Sequence, residues 1–178
     1  MLDRLEDLLK RARAQGAVEA DAFMVEEEIQ TIQVRLGQIE SLKHARETRC
    51  SLRIFTPTGS ASATSSDVSS AALGRLIDET LALARVTERD EHSGLPFPNA
   101  LARDLADLDL SDRDGHALPI DAKIEQARRA EAAAMEADPR VRNSEGAEFY
   151  DRQGRVAYAA SGGFAGRFPV SSFAISVT

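Results

Sequence analysis

The sequence predicts an α+β domain, a mainly antiparallel sheet with three helices packed on it in the order α-β-β-β-β-α-loop-α-β-β-β. Three observations lead there. Apolar residues recur at helical spacing in three separate segments, alternate with polar ones in period two over much of the remainder, and the alternating runs are separated by glycine-containing turns short enough to pair neighbours as hairpins. With 178 residues, 43% of them hydrophobic, the chain can bury a core without staples, and its one cysteine, Cys50, rules out an internal disulfide.

Leu2, Leu5, Leu8, Leu9 and Ala12 share one helical face, and Gly16 follows as a stop, so the first helix runs over roughly 2–15. From Ala20 the period becomes two. Phe23, Val25 and Ile29 share one parity, Ile32, Val34 and Leu36 the other, and the slip predicts a bulge near Gln30. Gly37 separates Ile32–Leu36 from Ile39–Ala45 and marks a hairpin. Cys50, Leu52 and Ile54 continue the alternation, Pro57 and Gly59 punctuate a turn, and Ser60–Ser66 forms one more strand, giving a four-strand meander.

Ser66 or Asp67 is the expected cap of the second helix, whose buried face is Leu73, Leu76, Ile77, Leu81 and Ala84. Residues 87–118 lose all periodicity and carry Pro96, Pro98 and an acidic run from Asp104 to Asp114, a long irregular connection within one domain of residues 1–178. Pro119 opens the third helix, with Ile120, Ile124, Ala127, Ala130 and Ala134 as its apolar stripe. Three strand-like runs follow, around Val141–Tyr150, Arg155–Ser161 and Gly166–Val177. Gln153-Gly154 and Gly162-Gly163 are the turn signals between them. Phe173, Ile175 and Val177 are still alternating at the last residues, which leads us to expect a strand partner downstream.

Composition narrows function. A net charge of −7, with Lys and Arg scattered among acids, argues against direct contact with nucleic acid. No stretch has the apolar length of a membrane span or a secretory signal, so no membrane partner is expected and a cytoplasmic location is.

A catalytic zinc needs three protein ligands and a carboxylate base, and His44, His92 and His116 belong to no HExxH or HExxxH pattern; they read as surface histidines. Cys50 lies in a strand pattern and reads as a packed thiol. Ala159-Ala160-Ser161-Gly162-Gly163 approaches a nucleophile elbow but lacks its first glycine and precedes a strand. The same glycines miss the spacing of a dinucleotide loop, and a tight turn accounts for them. Glu26-Glu27-Glu28 reads as solvated charge. The most unusual segment runs from Gly59 to Asp67: small hydroxyl residues let another backbone approach, so an edge strand leading into a helix cap can also receive an extended peptide. Candidate peptide or subunit contacts are therefore Ser60, Ser62, Thr64, Ser161, Gly162 and Gly163; no catalytic or metal residue is assigned.

Taken in order, Gln38-Ile39-Glu40-Ser41, Gly59-Ser60-Ala61-Ser62, Ser66-Asp67-Val68-Ser69, Leu108-Asp109-Leu110, Asn143-Ser144-Glu145-Gly146 and Ser161-Gly162-Gly163-Phe164 resemble the N-terminal half of TldD/PmbA proteins, the PmbA (TldE) branch more than TldD. The resemblance spans nearly the whole chain. It implies a cytoplasmic two-subunit zinc metalloprotease that cleaves unfolded or extended peptides and modulates gyrase poisons indirectly. One branch carries an HExxxH zinc site in its C-terminal half and the other lacks it. On that reading this chain is an N-terminal scaffold and interface domain without the C-terminal half. Its partner is a TldD-like catalytic subunit, or a second copy in a homodimer, and zinc lies in the C-terminal half of the TldD-type partner, with no cofactor here. The alternative is a free-standing peptide-binding or adaptor module that uses the Ser60–Ser66 edge and has no protease role.

Overall fold

The computed structural model describes residues 1–102 and 104–178, the side chains of Arg113 and His116 excepted. In chain order the elements are α1 (Leu2–Ala14), β1 (Glu19–Arg35), β2 (Gln38–Phe55), β3 (Ser60–Ser65), α2 (Ser70–Val86), a short 3-10 turn (Pro98–Ala100), a single helical turn α3 (Arg113–His116), α4 (Ile120–Glu136), β4 (Ala147–Ala160) and β5 (Ala165–Val177). The α+β class and the succession of helices and strand blocks are those expected, with three long helices and a five-stranded antiparallel sheet in the order β3-β2-β1-β4-β5. Within the blocks, the runs at 39–45 and 50–54 form one continuous strand, β2, and Gln153-Gly154 lies inside β4 instead of turning the chain. Between α2 and α4, among the described residues, only the two short helical turns interrupt an irregular path.

The chain divides into two compact units. The first comprises Met1–Glu26, Thr48–Leu108 and Arg155–Phe168, the second Glu27–Glu47, Asp109–Gly154 and Pro169–Thr178.

In the first unit, α1 contributes Leu5, Leu8, Leu9 and Ala12 to the core, and α2 contributes Leu73, Leu76, Ile77, Leu81 and Ala84. The strands meet them with Ala20, Ala22, Met24, Cys50, Leu52, Ile54, Ala157 and Ala159. Helix leucines pack against a mixture of alanines and of Met24, Leu52 and Ile54 on the strands, and each fully buried leucine stabilises by about 1.5–3 kcal/mol. The buried parity of β1 is therefore that of Ala20, Ala22 and Met24. Phe23, counted from the sequence as the start of an apolar face, is 41% exposed on the other side. The sequence pattern misled because the core-facing residues there are alanines, weak markers of periodicity.

The cap of α2 also differs from expectation. Ser69 is the N-cap, its hydroxyl accepting from the N–H of Ala72 at 3.3 Å, while Asp67 accepts from the N–H of Ser69 at 2.8 Å one turn earlier. Asp67 thus shapes the approach to the helix, and Ser69, three residues before the donor it binds, caps it in place of Ser66 or Asp67. At the far end the β2–β3 turn closes the helix: Thr56 and Thr58 donate their hydroxyls to the carbonyls of Ala84 and Arg85 at 3.2 and 3.3 Å. Gly59 is required there, since a Cβ would stand 2.1 Å from the carbonyl oxygen of Thr87.

In the second unit Ile32, Val34, Ala147 and Phe149 of the strands pack on Ile124 and Ala127 of α4. Leu36 (φ 47°) and Gly37 (φ 73°) make the two-residue β1–β2 turn with the paired positive φ of a type I′ hairpin. The inward face of α4 is more polar than its sequence stripe suggested: Lys123 and Glu131 are buried, whereas Ile120 is 38% exposed.

Candidate functional site

The six candidate contact residues fall into two places in the first unit. Ser60, Ser62 and Thr64 alternate along β3, the edge strand, paired with Phe55, Arg53 and Ser51 of β2. Ser161, Gly162 and Gly163 form the β4–β5 turn. The sheet order sets β2 and β1 between β3 and β4, so the two groups do not converge.

Ser161 is bonded into the sheet. Its N–H donates to the carbonyl of Ala20 at 2.8 Å and its hydroxyl oxygen accepts from the N–H of Ala20 at 3.0 Å, extending the pairing of β4 with the start of β1. A turn into β5 follows it, with Gly163 at φ 98°, so the strand-to-helix bend of a nucleophile elbow is not built here. Beside this turn is a cleft of about 270 Å³ walled by Leu9, Lys10 and Arg13 of α1 and by Ala159, Ser161 and Phe164. A second cleft of about 280 Å³ lies at the base of β3, between Phe55 and Ser60 on one side and Arg89 and Asp90 on the other.

The sheet face of this unit opposite α1 and α2 carries a cluster that sequence reading missed. Asp21, 6% exposed, accepts two bonds from Arg53 at 2.9 and 2.6 Å and one from the Tyr158 hydroxyl at 2.8 Å. Arg53 also lies over the Phe55 ring, 5.0 Å from its centre. The bond from Arg53 to Asp21 raises the guanidinium's already high pKa, and burial followed by the Asp21 contact pushes the Tyr158 hydroxyl up to about 12. The phenol is therefore a donor throughout the neutral range. The signal available was a charge on the outward parity of two strands, Asp21 and Arg53, which reads in sequence as ordinary solvent-facing charge.

In the second unit, Lys123 and Asp151 form a buried pair at 2.5 Å, with Gln30 accepting from the same ammonium at 2.9 Å. Glu131 holds the hairpin turn, its two oxygens accepting from the N–H groups of Leu36 and Gly37 at 2.8 Å each. Burial, the largest single influence, works to raise the Glu131 pKa, but the two backbone donors together with the Ser144 side chain and the Arg35 charge bring it below the ordinary carboxylate value. His44 binds Glu28 at 2.5 Å and, with Arg46, lowers the Glu28 pKa. His92 lies 3.6 Å from Glu91 on an exposed loop, and the side chain of His116 lies outside the described ones. Burial raises the Cys50 thiol to about 11. Among the described residues no three His, Cys, Asp or Glu side chains gather where a metal ion could bind. No helix among them is long and apolar enough to cross a membrane.

Residues 20–84 match the model of the PmbA/TldA metallopeptidase domain 1, and residues 113–178 that of the PmbA/TldA metallopeptidase central domain. The chain belongs to the PmbA/TldD family. It is 30% identical over 148 residues to the metalloprotease PmbA homolog of Haemophilus influenzae, covering 82% of this chain and 32% of that protein. With metalloprotease PmbA of Escherichia coli O157:H7 it shares 32% identity over 135 residues, 75% of this chain and 29% of the relative. The chain thus spans about a third of the length of these relatives. Among solved structures, a protein described as a modulator of DNA gyrase from Bacteroides thetaiotaomicron has the same fold at a TM-score of 0.86 and 21% identity, over 97% of this chain and 39% of that one. TldE of Thermococcus kodakarensis shares it at a TM-score of 0.72 and 14% identity, over 98% and 38%.

Proposed function

We propose that this chain is the scaffold and interface region of a PmbA (TldE)-like subunit in a two-subunit, zinc-dependent protease that cleaves unfolded or extended peptides. The observation that carries the reading is the family match itself: residues 20–84 match domain 1 and residues 113–178 the central domain of PmbA/TldA metallopeptidases, with PmbA relatives at 30% and 32% identity. In this reading zinc and the water it activates belong to the C-terminal half of a TldD-type partner, and this chain binds and positions. Its share of the work falls to Ser60, Ser62 and Thr64 along the β3 edge and to Ser161, Gly162 and Gly163 at the β4–β5 turn. The effect on gyrase named for the Bacteroides relative is then indirect, through peptide turnover.

The test is association. Mixed with the TldD-type subunit of its own source, the protein should elute as one complex heavier than either component by light scattering. Separate elution of the two at micromolar concentration would sink the assignment. A second reading, a free-standing peptide-binding module, draws on the edge position of β3. It requires peptide binding together with indifference to any TldD-type subunit.

A further inference from the structure

We propose that the cleft between the C-terminal half of α1 and the β4–β5 turn binds the free C-terminal end of a peptide, its carboxylate held by Lys10 and Arg13. This rests on the proposed role in peptide handling and gives one place on the chain a defined chemistry within that role.

The cleft, of about 270 Å³, lies wholly within the first unit. Lys10 and Arg13 stand three residues apart on α1, so their side chains rise from one helical face, and both line the cleft. Among the described residues neither cation has an ion-pair or hydrogen-bond partner, whereas Arg11, between them in sequence, is engaged by Asp7 at 3.7 Å. The helix end makes no claim on them either. The N–H groups of Gln15, Gly16 and Ala17 already satisfy the carbonyls of Arg11, Arg13 and Ala12, each at 3.1 Å.

A third donor comes from the turn. The Ser161 oxygen accepts from the N–H of Ala20 at 3.0 Å, which fixes its position and leaves the hydroxyl proton to donate to a group in the cleft that Ser161 lines. An ammonium, a guanidinium and a hydroxyl together suit one carboxylate, whose two oxygens accept at several sites and bind charged donors most strongly.

The remaining walls select what the carboxylate is attached to. Leu9, Ala159 and Phe164 are apolar, and the Phe164 ring is packed at a tilt on Tyr158 with ring centres 5.9 Å apart. Apolar surface beside a group of donors fits a carboxylate that carries an apolar side chain, as the last residue of a peptide does. Ligand pockets for whole small molecules begin at about 300 Å³, so this cleft has room for the end of a chain and not for a cofactor. Phosphate fits worse. A dianion would lose its hydration against the apolar walls, and Glu6, one turn before Lys10 and also lining the cleft, would repel its second charge.

The test is fluorescence anisotropy of the protein with a hexapeptide of glycine and serine ending in leucine, fluorescein-labelled at its N-terminus and made as the free acid and as the C-terminal amide. The free acid should bind about tenfold or more tightly than the amide. Lys10→Met combined with Arg13→Met, both exposed positions, should reduce the free acid to the affinity of the amide while circular dichroism keeps its native form. Arg4→Met, which removes an exposed cation of α1 that does not line the cleft, should bind as the parent does. Sodium phosphate should displace the peptide no better than sodium chloride of equal ionic strength. Equal binding of acid and amide, full binding to the double variant, an equal loss in Arg4→Met, stronger displacement by phosphate, or no binding at about 1 mM peptide overturns the proposal. Should the double variant not fold, the acid and amide decide alone. Failure of the peptide test with intact association to a TldD-type subunit refutes this site only, and peptide binding without association refutes only the proposed assembly.

Discussion

Glu131→Ala should detach the β1–β2 turn from α4. Glu131 is 3% exposed, and each of its oxygens accepts one backbone N–H, from Leu36 and from Gly37, at 2.8 Å. A bond to a charged acceptor contributes about 1.5–3 kcal/mol net. Leu36 is 60% exposed, so water can reach the vacated donors, and the lower end applies: about 3 kcal/mol for the two together. Glu131→Gln keeps one acceptor and should cost about half as much. The effect has a defined pH dependence. The folded-state pKa lies below the ordinary glutamate value of 4.5, so the contribution is fully present above pH 4.5 and is lost as pH falls through the lower folded value. Urea unfolding, with hydrogen exchange at the hairpin amides, measures both quantities. A Glu131→Ala variant within about 0.5 kcal/mol of the parent at pH 7, or a difference that does not shrink on acidification, would refute the reasoning.

Lys123→Met removes the ammonium beside buried Asp151 and should cost about 3–5 kcal/mol in urea unfolding, whereas Lys123→Met with Asp151→Leu should recover most of it; equal cost in both would contradict a pairing role. Tyr158, pushed up to about 12 by burial and Asp21, stabilises the folded state fully below pH 10, and that contribution disappears as pH rises towards 12. Melting of Tyr158→Phe should therefore lack the alkaline loss seen in the parent over that window. Cys50, buried with its thiol raised to about 11, should resist a thiol reagent at pH 8 until the protein unfolds; rapid labelling of the native state would show that the first unit opens locally.

The helices and the strand blocks were legible because leucine and isoleucine mark their buried faces unambiguously, as Leu73, Leu76, Ile77 and Leu81 do in α2. Where the packing surface is alanine the pattern was faint: Phe23, Val25 and Ile29 stood out as one face, whereas the core takes Ala22 and Met24 of the other parity. The acceptor that caps α2 could not be chosen from sequence, since Ser66, Asp67 and Ser69 all have the right chemistry and only backbone direction selects Ser69. The edge position of β3 was anticipated from its small residues, but the register that pairs Ser60, Ser62 and Thr64 with Phe55, Arg53 and Ser51 required the structure. Ser161 was chosen for a glycine-rich turn, and its hydroxyl proves to be a sheet acceptor. The Asp21–Arg53–Tyr158 cluster and the Lys123–Asp151 pair join residues 137, 32 and 28 positions apart, beyond the reach of any local pattern.

The central claim, a PmbA-like subunit that serves a zinc protease without holding its metal, is most directly tested by reconstitution. A TldD-type subunit from the same source is assayed for cleavage of an unfolded peptide with and without this protein, and zinc is measured in each separated component. The account predicts that cleavage requires both components and that zinc stays with the TldD-type subunit. Stoichiometric zinc on this chain, or cleavage that proceeds equally well without it, would contradict the account.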